Sequence, residues 1–150
     1  MLKRPFSVLV VIENSHNEFL LIQRADDTTF WQSVTGGIEQ NETALECAYR
    51  EVLEETGIDC EASGYEIVPL NITNQYEIRE DWRFRYEKGN YLNTEYVFHL
   101  KVDSQTQIKL APKEHLNFKW LTYQNALQLI TSETNKNAVA LLFKSKKRKE

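Results

Sequence analysis

Apolar positions along this chain repeat in two rhythms, one of period two and one of period near 3.6. "FSVLVVIEN" (Phe6–Asn14) is nearly continuous in β-branched and apolar residues, which suits a central strand covered on both faces. "SHNE" reads as a turn, and "FLLIQR" (Phe19–Arg24) as the returning strand of a hairpin. A loop or short strands follow, through "FWQSVTGG" to Gly36 and Gly37. A helix then starts near Thr43. Asn41 or Thr43 can cap it, Glu46 stands where a capping box needs it, and Gly57 ends it. "IDCEASGYEIVPLNIT" (Ile58–Thr73) has strand character, while "NQYEIREDWRFRYEKGN" (Asn74–Asn90) is too polar and aromatic to assign. "YLNTEYVFHLKV" (Tyr91–Val102) sets Tyr96, Phe98 and Leu100 against Val97, His99 and Lys101, as a strand does. "LNFKWLT" (Leu116–Thr122) is a short strand. Two helical patterns close the chain, "YQNALQLI" (Tyr123–Ile130) and "NKNAVALLF" (Asn135–Phe143), separated by "TSET".

Strand and helix patterns alternate, so the expected class is α/β, with one domain over residues 1–143 and a basic tail over 144–150. There are no internal repeats. The tail, "KSKKRKE", carries +4 of a net charge of −4, so the body carries −8 and would repel nucleic acid. The tail itself reads as a frayed, solvated terminus. No apolar run reaches the length of a membrane span, and the apolar start lacks a signal-peptide cleavage site. Cys47 and Cys60 do not make a disulfide framework, which points to reduced thiols in the cytoplasm.

The chemistry is concentrated in "GGIEQNETALECAYREVLEETGI" (Gly36–Ile58), which holds six glutamates in 23 residues. On a helix, Glu51, Glu54 and Glu55 fall within an arc of about 100°. Leu45, Ala48 and Val52 lie to one side of that stripe and can face the core, and Arg50 can brace Glu54 four residues on. Like charges so placed repel unless a cation joins them. Carboxylate oxygens are hard ligands, and Mg²⁺ bridges carboxylates to substrate phosphates. The stripe therefore suits Mg²⁺ and a phosphorylated ligand.

The spacing Gly36, Glu42, Arg50, Glu51, Val52, Glu54, Glu55, Gly57, Ile58 resembles the Nudix hydrolase signature and matches it at every specified position. A chance match is on the order of 10⁻¹⁰ per window. The resemblance implies an α/β/α sandwich with a mixed sheet and a loop–helix–loop catalytic motif, and hydrolysis of a pyrophosphate bond with Mg²⁺, or Mn²⁺ as a substitute. It makes Glu51, Glu54 and Glu55 metal ligands, with Gly36, Glu42 and Arg50 in support. Glu39 and Glu46 are bystanders.

Outside that motif, "KRP" (Lys3–Pro5), Gln23–Arg24, "FWQSVTGG" (Phe30–Gly37), "RY" with "G" (Arg85, Tyr86, Gly89), "NTE" (Asn93–Glu95) and "EHLNFKWL" (Glu114–Leu121) resemble bacterial Nudix members that cleave dihydroneopterin triphosphate or dATP. By that resemblance Glu114 is a further metal ligand, and the general base is one of Glu54, Glu55 and Glu114. Lys3, Arg24, Thr35 and Ser132 meet a small-molecule triphosphate, and Tyr76–Arg79 form part of the ligand wall. Plainer roles stand beside these. Arg24 can pair with Asp26 or Asp27, Ser132 can cap the last helix, and Trp31 suits the core better than a stacking role open to it and to Trp82. His16, His99 and His115 show no ligand spacing and read as structural or surface residues. Three functions follow as expectations: a pterin triphosphate pyrophosphohydrolase, a housecleaning hydrolase of dATP-like nucleotides, or a non-catalytic nucleotide sensor.

Overall fold

Strand β1 (Phe6–Asn14) is the axis around which the other elements assemble. The computed structural model describes residues 2–89 and 91–148. Side chains of β1 point alternately to two apolar clusters. Val8, Val10 and Ile12 enter one, Leu9 and Val11 the other, which explains the nearly unbroken apolar run. On one flank β1 pairs in parallel with β6 (Leu92–Val102), from Phe6↔Thr94 to Asn14↔Val102. On the other flank it pairs antiparallel with β2 (Phe19–Arg24) at Glu13↔Phe19, and with β4 (Val34–Gly37) from Val10↔Val34 to Ser7↔Gly37. Strand β2 continues the sheet through β3 (Trp31–Gln32) and β7 (His115–Leu121), and β5 (Val68–Glu77) closes the far edge on β6. Among the described residues, seven strands thus form one mixed sheet.

Helix α1 (Ala44–Thr56) covers one face, where Cys47, Ala48 and Val52 join Val8, Val10 and Ile12. Thr43 is its cap, with both halves of the capping box present, and Gly57 ends it at φ 76°. Leu45 departs from expectation. It belongs to the stripe of Val52 but lies one turn ahead of Ala48, at the helix start, and is 42% exposed. The opposite face is covered by Ala126 of α3 (Tyr123–Leu129) and by Ala138, Val139 and Leu142 of α4 (Glu133–Arg148). The result is the expected α/β/α sandwich.

Three stretches differ from the reading of the sequence. Cys60–Ser63 is a one-turn helix, α2, because the Asp59 side chain accepts from the Ala62 N–H at 3.1 Å and Gly64 adopts the left-handed conformation that stops it. Strand β5 begins only at Val68. The unassigned stretch divides into the end of β5 and a 3-10 helix, Glu80–Arg85; its last residue, Asn90, lies outside the described residues. The basic tail, expected to fray, continues α4 as far as Arg148, whereas Lys149 and Glu150 lie outside the described residues. A tertiary contact accounts for this. Glu13 is fully buried beside His99, and Lys146 reaches back as its counter-charge and also donates to Asn17 Oδ1 at 2.9 Å.

Candidate active site

The end of α1 reaches the sheet through a gap that only glycine leaves open. A Cβ on Gly36 would overlap the Glu51 carboxyl group, whereas one on Gly37 would meet nothing closer than the Phe6 carbonyl at 4.0 Å. Pairing of β4 with β1 sets Gly36 there, and α1 then lays Glu51 across it. Gly36→Ala is expected to displace Glu51 and lower kcat/KM at least about tenfold, and Gly37→Ala to leave it nearly unchanged. Steady-state kinetics of the two variants is the check.

Arg50 holds this loop and helix together. Its Nε donates to Glu42 Oε2 at 2.7 Å and its Nη2 to Glu42 Oε1 at 2.9 Å, a two-pronged pair. Nη2 also donates to the Gly37 carbonyl at 3.0 Å. Nη1 donates to Glu51 at 2.7 Å and to Glu54 at 3.2 Å. The Arg50 hydrogen bonds hold the Glu42 carboxyl at a pKa of about 2.

Glu51 and Glu55, one helical turn apart, face a cavity of about 320 Å³ whose rim includes Glu114, Lys113 and His115. Glu55 is 1% exposed, and neither of its oxygens has a hydrogen-bond donor. His115 Nε2 stands 3.3 Å from Glu55 Oε1 but out of line for a hydrogen bond. Burial, then the interaction with the Glu51 carboxyl and the Glu114 charge, push the Glu55 pKa well above the usual carboxylate range. Burial also raises Glu51, against the pull of Glu55 and then of Arg50. Burial and the Arg24 charge lower His115 to about 4, so its ring is neutral at pH 7.

Glu54 does not share this cavity. It sits one residue, or about 100°, around the helix from Glu55. Its side chain is 54% exposed and turned to Arg50. The stripe of three carboxylates is therefore two pointing in and one paired outside.

A second cavity, of about 350 Å³, adjoins the first. The two share Lys3, Arg24, Gln32, Thr35, Gly36, Gly37 and Arg85 as a common wall. Desolvation, then Arg85 and Arg24, lower the Lys3 pKa. Arg24 has the pairing that the plainer reading allowed, with both Asp26 oxygens at 2.6–2.7 Å, and it still borders both cavities. Thr35 donates its hydroxyl to the Val8 carbonyl at 2.8 Å. Ser132 borders the second cavity at the start of α4, with its oxygen 3.5 Å from the Asn135 N–H. Tyr76–Arg79 line the same cavity. Trp31 is 9% exposed and packs in the core. The Trp82 ring is already met by the Arg24 and Arg79 guanidinium groups at 4.4 and 4.2 Å, so it anchors these cations instead of offering a free stacking face.

Several neighbours of the site were given no role by the sequence. His115 gave no ligand spacing, and its place beside Glu55 comes from the pairing of β7 with β2 across Arg24↔His115. Arg85 joins Lys3 and Arg24 because Lys3 bridges to the segment after the 3-10 helix. Glu95 and Asn93 lie buried at the floor of the second cavity. The signal for them was present, since two polar residues continue the inward face of Val97 along β6.

The donor set fits a divalent cation. Two buried carboxylates converge beside a glycine cradle, and Glu55 lacks any protein donor for its oxygens. Among the described residues, no three His, Cys, Asp or Glu side chains form a ready cage. Mg²⁺ does not require one, because it keeps waters and completes its shell with substrate phosphate.

The NUDIX domain model matches residues 3–142. The chain is 42% identical over 138 residues to dihydroneopterin triphosphate diphosphatase of Escherichia coli strain K12, covering 91% of each protein. It is 35% identical over 138 residues to the protein of the same name from Haemophilus influenzae, covering 91% of this chain and 86% of that one. The solved E. coli dihydroneopterin triphosphate pyrophosphohydrolase superposes with a TM-score of 0.87 at 41% identity, over 93% of this chain and 94% of that one. With an intact signature, the matching sandwich and a family match over nearly its whole length, the chain belongs to the Nudix hydrolase family.

Proposed function

We propose that the protein is a Mg²⁺-dependent pyrophosphohydrolase that converts dihydroneopterin triphosphate to dihydroneopterin monophosphate and pyrophosphate, a step of folate biosynthesis in the cytoplasm. The observation that carries this reading is the junction of the two cavities. A ring fits the second cavity, among Phe30, Tyr76 and Ile78, while its phosphates cross the wall of Lys3, Arg24 and Arg85 into the acidic cavity. The names of the E. coli and H. influenzae relatives supply the pterin.

Nudix hydrolases generally use divalent metal ions. Glu51 and Glu55 would hold the ion, with Glu114 from the loop before β7, and Glu54 would join by releasing Arg50; Mn²⁺ would substitute for Mg²⁺. When bound, the metal supplies charge to the phosphate oxygens and lowers the pKa of a bound water. Lys3, Arg24 and Arg85 then fix the phosphate chain. Thr35, its proton committed to Val8, offers the substrate an acceptor. Of the three candidate bases, Glu55 and Glu114 border the cavity and Glu54 does not. A carboxylate with a pKa raised by burial is better matched to taking a proton near neutral pH.

A hydrolase of dATP would use the same catalytic residues, so the test is a side-by-side comparison. With Mg²⁺, kcat/KM on dihydroneopterin triphosphate is expected to exceed that on dATP by at least about tenfold. Equal or higher efficiency on dATP would overturn the pterin assignment. No pyrophosphate from either substrate would favour the non-catalytic sensor.

A further inference from the structure

Strand β6 carries a carboxylate where the fold calls for an apolar residue. Asn93, Glu95 and Val97 alternate onto the face covered by α3 and α4. Val97 packs into that apolar cluster, whereas Glu95, 3% exposed, borders the second cavity. Its cross-strand partners are Ser7 on β1 and Asn74 on β5, both neutral. The Thr134 hydroxyl at the start of α4 also acts on it, while Asn74 Nδ2 donates to Oε1 at 3.2 Å and the Tyr76 hydroxyl to Oε2 at 3.5 Å, both long for a carboxylate. Among the described residues, no lysine, arginine or histidine lies within ion-pair distance of it. An ionised carboxylate has about four acceptor sites. Glu95 is thus a buried carboxyl with neutral partners and no cation, so its ionised form is favoured only when a ligand brings further donors.

A 2-amino-4-oxopyrimidine ring, as in a pterin, presents a ring N–H beside an exocyclic NH₂. These two parallel donors match the two oxygens of a carboxylate, as the two prongs of a guanidinium do. The corresponding edge of adenine sets a ring nitrogen lone pair beside its amino group. That lone pair would face a carboxylate oxygen, an arrangement that rejects the ligand as firmly as the first accepts its own.

We propose that Glu95 reads the heterocycle: its carboxylate accepts the paired N–H and NH₂ donors of a 2-amino-4-oxopyrimidine ring and so selects pterin over adenine in the second cavity. The pterin part of this statement rests on the function proposed above. Glu95 is then a specificity residue that borders the second cavity, whereas Glu51, Glu55 and Glu114 border the first, and its role is separable from theirs.

The experiment is Glu95→Gln in the full chain, with Mg²⁺. Glutamine keeps the size but replaces one acceptor with a donor, the pattern that suits adenine. The kcat/KM on dihydroneopterin triphosphate is expected to fall at least about a hundredfold, mainly through KM, while that on dATP changes less than about threefold or rises. A fall by the same factor on both substrates, or on neither, would overturn the proposal. A second arm does not depend on the pterin. dGTP carries the donor pair and dITP lacks its amino group, so the wild type is expected to favour dGTP and the variant to lose that preference. The same dGTP-to-dITP ratio in both proteins overturns the role of Glu95. Failure of the wild type to cleave the pterin triphosphate overturns the function proposed above and leaves this ratio to decide.

Discussion

Glu55→Gln is expected to lower kcat at least about a hundredfold, which corresponds to roughly 2.7 kcal/mol of transition-state stabilisation, and at the same time to raise thermal stability in metal-free buffer. Both effects have one cause. The Glu55 carboxyl is 1% exposed, lacks a hydrogen-bond donor, and faces the charges of Glu51 and Glu114. Ionising it in the fold costs desolvation, a cost that is offset only when a cation binds there. Glutamine keeps the shape without the charge, removing both the penalty and the ligand. The pH dependence follows from the raised pKa. Folding is favoured by the protonated form, so this contribution is fully present below the unfolded value of about 4.3 and is lost as pH rises through the folded value. The stability advantage of the variant is therefore largest at neutral pH and shrinks towards pH 4. Melting curves in chelator from pH 4 to 8 are the check. Added Mg²⁺ should raise the melting temperature of the wild type, because it binds only the folded form, and do so far less for the variant. Near-normal activity in Glu55→Gln would remove Glu55 from the metal site.

What could be read in advance was what is local. Thr43, Glu46 and Gly57 delimit α1 through contacts within four residues of one another, so its limits were legible. The same local chemistry was overlooked at Asp59 and Gly64. There the β-branched residues of Ile58–Thr73 suggested a strand, and the cap and the left-handed glycine made a turn of helix first. The arc of Glu51, Glu54 and Glu55 was correct as helix geometry. Which members of it point into a cavity depends on where β4 lies, and that is fixed by pairing with β1. The contact of His115 with Glu55 and that of Lys146 with Glu13 link residues far apart in the chain, with no periodic pattern to announce them. Glu95 is intermediate. Its alternation with Val97 was visible, but a polar residue on an inward face becomes a pocket floor only through the placement of β1, β5 and the start of α4 around it.

Arg50→Ala is expected to lower folding stability by about 2–4 kcal/mol and to abolish most activity together with it. Arg50 donates to Glu42, Glu51, Glu54 and the Gly37 carbonyl, so its loss leaves Glu42 and Glu51, with side chains 14% and 12% exposed, without a counter-charge. Burial would then raise Glu51 further, and the loop carrying Gly36 would lose its tie to the helix. Arg50→Lys separates charge from geometry. An ammonium can neutralise one carboxylate but cannot span Glu42 with two prongs while also reaching Glu51 and Gly37. Lysine should recover part of the stability and little of kcat. Acid unfolding gives an independent sign. The Glu42 pKa lies at about 2 in the fold, held down first by its Arg50 hydrogen bonds. A depressed carboxylate contributes stability above its unfolded value near 4.3, and that contribution is lost as pH falls through about 2. Solvent screening limits it to about 1–2 kcal/mol. In Arg50→Ala this part of the acid limb should disappear, so the stability of variant and wild type should converge between about pH 4 and pH 2. Denaturant titrations across that range measure it. A constant difference between the two proteins would mean that Arg50 stabilises the fold by packing alone, without the Glu42 pair.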